Sequence, residues 1–130
     1  MIRVLVTSES RYPANRKLIR EVVSRVVRAH GLSGDIEVSV AVVGDRKMRQ
    51  ISKRFRGVDK TTDVLSFTFD EVKKQWPGGE PDGFARLGEI VVSFPQVRMW
   101  AMKRNRMLDE ILAELVEHGT LHLLGKHHSD

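Results

Sequence analysis

The 130-residue chain reads as one α/β (α+β) domain spanning 1–130, a four-stranded mixed sheet with helices packed on it. Three features predict this. Short apolar or alternating segments of strand length recur at 2–6, 36–43, 63–69 and 87–93. Longer segments with a helical apolar period lie between and after them. No internal repeat or shift in composition marks a second domain, and 41% hydrophobic with 30% charged residues is an ordinary globular balance. A chain of this length buries roughly two thirds of its unfolded surface.

Taken in order, residues 2–6 (IRVLV) predict a short buried strand. Pro13 suits the first turn of a helix, and Leu18, Ile19, Val22, Val23, Val26 and Val27 keep a helical period up to Gly31. Ile36, Val38, Val40 and Val42 alternate with Glu37, Ser39 and Ala41, so 36–43 is a strand with one face on the core. Asp45 is placed to N-cap a helix bearing Met48, Ile51 and Phe55 on one side and basic residues on the other. Residues 63–69 and 87–93 are the remaining strands. The Gly/Pro-rich stretch 70–86 between them is expected to be a mobile loop anchored by Trp76, with stacking of that ring on a base as the alternative. Pro95 opens a helix to about Met102, and a break follows at Asn105 and Arg106. The last helix spans 108–124, with Leu108, Ile111, Leu112, Leu115 and Val116 as its apolar stripe.

That stripe leads into the most informative residues of the chain. His118, His122 and His128 are spaced H-x3-H-x5-H. Side chains four apart share one helix face, so His118 and His122 can converge on one ion. Gly125 permits a left-handed turn that brings His128 back toward them. Three imidazoles with one position open is the pattern of a catalytic zinc site rather than a closed structural one. The leucines interleaved with the histidines argue against a solvated tail.

The formal charge of +5 favours a polyanionic partner. Residues 46–60 hold seven basic residues, Arg46, Lys47, Arg49, Lys53, Arg54, Arg56 and Lys60, against the single acid Asp59. A second cluster, Arg98, Lys103, Arg104 and Arg106, precedes the histidine helix. Basic clusters are often solvated faces, but two of them beside a metal site point to a phosphate-bearing substrate. No apolar run approaches the roughly 20 residues that span a bilayer, and the N-terminal apolar stretch is too short for a signal peptide. With no cysteine, neither disulfides nor thiolate ligands are possible. A cytoplasmic protein without membrane or organic cofactor is expected.

The spacing H-x3-H-x2-G-x2-H is also that of metzincin peptidases, which need a glutamate after the first histidine as general base. Here that position is Gly119, and Glu117 points about 100° away around the helix. Metal-assisted phosphodiester hydrolysis fits better, and it needs a cation for the developing charge. Arg56 is the candidate, because guanidinium grips phosphate at two points. The bland alternative is an arginine capping its own helix or paired with Asp59 or Asp63.

Three blocks resemble the YbeY family of bacterial ribosomal-RNA maturation endoribonucleases. Residues 55–67 (FRGVDKTTDVLSF) resemble its Y/F-R-G-x-D-x-P-T-D-V-L-S-F stretch, 87–93 (LGEIVVS) its L-G-D-I-x-I-S strand, and 117–130 (EHGTLHLLGKHHSD) its H-G-x-L-H-L-x-G-Y-D-H signature. Spread from Phe55 to the C-terminus in family order, they span a little over half the chain. The resemblance implies a metal-dependent, single-strand-specific endoribonuclease acting in small-subunit ribosomal-RNA processing and ribosome quality control. It carries three zinc ligands onto His118, His122 and His128 and an essential arginine onto Arg56. Single-stranded RNA, ribosomal RNA and the small ribosomal subunit are the implied partners, with Arg46, Lys47, Arg49, Lys53, Arg54 and Lys60 as RNA-binding residues.

Departures from the pattern matter. Lys126 and His127 replace the family's Tyr-Asp, which removes a carboxylate able to orient a ligand imidazole and makes His127 an alternative third ligand. Thr61 replaces a proline. The missing general base keeps a second reading open, a non-catalytic ribosome-assembly factor that binds RNA around a structural metal.

Overall fold

The computed structural model describes residues 1–75 and 83–125. The elements run β1 (Ile2–Ser8), α1 (Arg16–Ala29), β2 (Ile36–Val43), α2 (Asp45–Arg56), β3 (Val64–Thr68), α3 (Phe69–Gln75), β4 (Ala85–Ser93), α4 (Phe94–Arg104) and α5 (Leu108–Leu123). The strands form one sheet in the order β1-β2-β4-β3. β1 with β2 and β2 with β4 are parallel, and β3 lies antiparallel on β4, so the sheet is mixed as expected.

Apolar side chains cover both faces of this sheet, which organises the molecule into layers. Val38, Val40, Ile90 and Val92 point toward α1, α4 and α5, meeting Ile19, Val23, Val97, Ile111 and Val116 in the main core. On the opposite face Val43, Phe67 and Val91 join Met48 of α2, with Ile51, Phe55 and Val72 around them. β2 is therefore buried on both sides at its end, more than the one-sided alternation predicted. β1 departs the other way. Val4 and Val6 are buried but Leu5 is 45% exposed, because β1 is an edge strand covered on one face only.

Two helix starts differ from the sequence reading, each because of a different polar side chain. α1 begins at Arg16 rather than at Pro13, because the Asn15 side chain accepts the Leu18 amide at 3.1 Å and caps the helix there. Pro13 lies in the turn before it. α2 begins at Asp45 with Gly44 as N-cap. The Asp45 carboxylate instead accepts from Ser93 Oγ at 2.8 Å, Thr61 Oγ1 at 2.9 Å and Gln96 Nε2 at 3.2 Å, joining α2 to the β4–α4 junction. The hydroxyl of Thr61 is thus in use at the position where the family pattern has proline.

The stretch 70–86, read as loop, contributes α3 at one end and the start of β4 at the other. Asp70 and Glu71 lie in the first turn of α3, where carboxylates meet the positive end of the helix. The Gly/Pro cluster obscured that local signal. Trp76 and the rest of 76–82 lie outside the described residues. At the far end of the chain, Asn105 takes the left-handed conformation that ends α4, as its break predicts. Gly125 does the same beyond α5 with φ of 76°. No helix among the described residues is long and apolar enough to cross a membrane.

Candidate functional site

α5 carries the first two predicted ligands on its last turns. Its buried residues Ile111, Leu112, Val116, Gly119 and Thr120 hold it against the sheet. That leaves His118 exposed and His122 half-buried at the rim. The helix can lie this close because Gly119 has no side chain: a Cβ there would stand 2.7 Å from Ile90 Cγ2 of β4. The residue that removes the peptidase base is therefore also a packing requirement. Glu117, next to His118, turns toward α1 and pairs with Arg25 at 3.4 Å.

Ser66 connects the histidine helix to the rest of the site. It sits on β3 opposite Ile90, on the face that α5 covers, and its Oγ hydrogen-bonds His122 Nδ1. With Ser66 accepting from Nδ1–H, the Nε2 lone pair of His122 is directed away from the strand, the tautomer a metal ligand requires.

Arg56 reaches the same residue from the other face of the sheet. Nη2 donates to the Ser66 carbonyl at 2.9 Å, and Nη1 donates to Glu71 Oε2 at 2.6 Å. The guanidinium carbon lies 4.5 Å from the centre of the Phe67 ring. Glu71 is itself fixed, accepting from the Thr68 amide at 3.1 Å and from Thr68 Oγ1 at 3.3 Å. Partial burial works against its carboxylate, yet the Arg56 and Thr68 hydrogen bonds hold its pKa below the ordinary value. Arg56 is thus pinned by Glu71, not by Asp59 or Asp63. Asp59 is taken by Arg49 at 2.7 Å, and Asp63 accepts the Val64 amide at 2.7 Å.

The predicted RNA-binding residues separate into three groups. Lys47 and Arg54 line a cleft of about 780 Å³ on the α2 face of the sheet, together with Phe55, Phe67 and Phe69. Arg49 and Lys53 face Asp59. Arg46 and Lys60 are exposed elsewhere. The second basic cluster is tied largely into the corner between α4 and α5, where Arg104 and Arg106 pair with Glu114 and Arg106 also with Glu110. Ser66, Glu71 and Glu89, which sits on the cleft floor, were not singled out from the sequence. For Ser66 and Glu89 the available signal was a polar residue inside an otherwise apolar strand.

Among the described residues no three His, Asp or Glu side chains converge as a metal-binding group. His127 and His128 lie outside those residues. His118 and His122, one turn apart with the second oriented by Ser66, fit an imidazole-bound ion as far as the described chain extends.

Residues 6–130 match the family model described as Endoribonuclease YbeY. The chain belongs to the YbeY endoribonuclease family. It is 36% identical to the Endoribonuclease YbeY of Moorella thermoacetica over 121 residues, which cover 90% of this chain and 78% of that protein. With the Endoribonuclease YbeY of Desulforamulus reducens the identity is 37% over 112 residues, 86% of this chain and 72% of the relative. The fold is similar to the solution structure of TM1509 from Thermotoga maritima, with a TM-score of 0.58, 31% identity, and coverage of 95% of this chain and 71% of that one. The blocks around Arg56 and His122 quoted above are thus YbeY-family segments, and the fold brings them together at Ser66.

Proposed function

We propose that the protein is a zinc-dependent endoribonuclease that cleaves single-stranded RNA in small-subunit ribosomal-RNA maturation and ribosome quality control, in the cytoplasm. The observation that supports this best is the meeting of His122 and Arg56 on two atoms of one residue, Ser66, in a chain of the YbeY family. His118, His122 and His128 would hold the ion. Bound there, it would supply Lewis acidity at a phosphoryl oxygen.

The other contributions belong to the chain. Ser66 fixes the ring orientation of His122. Glu71 and the Ser66 carbonyl hold the Arg56 guanidinium, whose remaining N–H donors offer a fixed grip for a phosphate of the substrate. Lys47 and Arg54 attract the backbone of the strand along the cleft. An unpaired strand can enter such a cleft, whereas a stiff duplex hides its bases.

The test compares metal-loaded protein with its Arg56→Ala variant on a single-stranded RNA and on the matching duplex, with metal quantified in each sample. Cleavage of single strands only, lost in the variant while metal stays bound, is the expected result. RNA binding without cleavage by fully loaded wild-type protein would replace this reading with the assembly factor.

A further inference from the structure

β2 presents large side chains to the main core and small ones, Ser39 and Ala41, to the opposite face. α2 and α3 wall that face without filling it, and the cleft remains above β2 and β4. Three carboxylates line it. Glu9 accepts the Gly44 amide at 2.7 Å, and Glu37 is held between Arg3 at 2.7 Å and Arg86 at 3.1 Å. Glu89 differs: among the described residues no hydrogen bond or ion pair to its carboxylate is present, although burial pushes its pKa above the ordinary range. A part-buried carboxylate without a donor is unfavourable, and a ligand carrying N–H groups would relieve it.

The surroundings define that ligand. Register places Ser39 on one side of Glu89 and Phe67 on the other. Phe69 at the cleft wall offers a half-buried ring, backed by the packed pair Phe55 and Phe67, while Lys47 and Arg54 supply positive charge. Aromatic faces with cations suit a nucleotide, the bases stacking and the phosphates meeting the cations. A carboxylate needs two adjacent donors, and among the four RNA bases only guanine has them, at N1–H and the N2 amine. Adenine and cytosine set an acceptor beside their amine, and uracil flanks its N–H with two carbonyls.

We propose that this cleft is a guanine pocket in which Glu89 selects the base, an inference that rests on single-stranded RNA being the substrate. Phe67 lines the cleft and also lies against Arg56. A guanine held there therefore directs the adjoining backbone toward Arg56, and cutting falls close to guanines.

The test uses the full chain stripped of metal by chelation, titrated with the 5′-monophosphates of guanosine, adenosine, cytidine and uridine by calorimetry and by NMR. Guanosine monophosphate is expected to bind about tenfold tighter than the others, the scale of one good bidentate base contact. Its resonance shifts should centre on Ser39, Phe67 and Glu89. In Glu89→Gln, checked for native circular dichroism, the preference should vanish while the other three nucleotides bind as before. Equal or absent binding of all four, or a guanine preference that survives Glu89→Gln, would overturn the proposal. Because this binding is read without metal, it is independent of the cleavage test: guanine selectivity here with no cleavage by the metal-loaded protein would sink the nuclease alone, and metal-loaded cleavage blind to sequence would sink the pocket alone.

Discussion

Ser66 is a small residue with two unrelated partners, the His122 ring through its hydroxyl and the Arg56 guanidinium through its carbonyl. Only the first depends on the side chain, so the two can be separated. Ser66→Ala should keep Arg56 in place and weaken metal retention about tenfold or more, the usual effect of losing a group that orients a ligand imidazole. Competition with a chromophoric chelator, alongside unchanged circular dichroism, would check this; wild-type retention would show that the hydroxyl has no part in holding the ring. The histidines were legible because helical spacing is local, and Arg56 because it stands in a basic run and a family block. Ser66 was not, since its partner lies 56 positions away and only the fold brings them together. Glu71 was missed because it stood in a stretch read as loop.

At the scale of elements, the close approach of α5 to β4 carries the site. Gly119 is unfavourable in a helix by about 0.5–1 kcal/mol relative to alanine, so on propensity alone Gly119→Ala should stabilise. Packing opposes it, because the new Cβ meets a fully buried Ile90 and overpacking costs about 1–3 kcal/mol. Packing wins, and a net loss of about 1 kcal/mol is expected in urea denaturation; a gain would mean that α5 can lift away freely. Gly88 has the same kind of role on the strand, with φ of 146° and the Phe67 carbonyl where a side chain would start. Strands, most helices and the breaks at Asn105 and Gly125 could be read from periodicity and local chemistry. The starts of α1 and α2 could not, because Asn15 competes with Pro13 as a helix signal and Asp45 bonds to groups far along the chain.

Over the whole molecule the charge is uneven in a way that its total conceals. Lys47 and Arg54 line the cleft, whereas Arg49 and Lys53 face Asp59. Replacing Lys47 and Arg54 together by alanine should weaken single-stranded RNA binding and flatten the slope of log K against log salt by roughly 1.4, about 0.7 per phosphate contact. The double replacement of Arg49 and Lys53 should change the slope far less; equal effects would argue for diffuse attraction with no defined track. Acidity acts through Glu89. Its raised pKa favours the neutral form in the fold, so the stability it allows is full below the ordinary carboxylate range and is lost as pH rises through the raised value. Glu89→Gln should therefore raise Tm at about pH 8 and leave it nearly unchanged at about pH 4, read by thermal melts across that range.

The edge strand β3 has a further consequence for how molecules meet one another. Three of its backbone groups are held by nearby side chains: the Val64 amide by Asp63, the Ser66 carbonyl by Arg56 and the Thr68 amide by Glu71. An open edge is a template on which another chain can add a strand, and charged side chains laid along it prevent that pairing. The arginine and glutamate of the candidate site therefore also shield part of this edge against strand addition. Removing either should uncover backbone at the rim of the sheet and raise self-association, as light scattering of Arg56→Ala and Glu71→Ala against wild type would show.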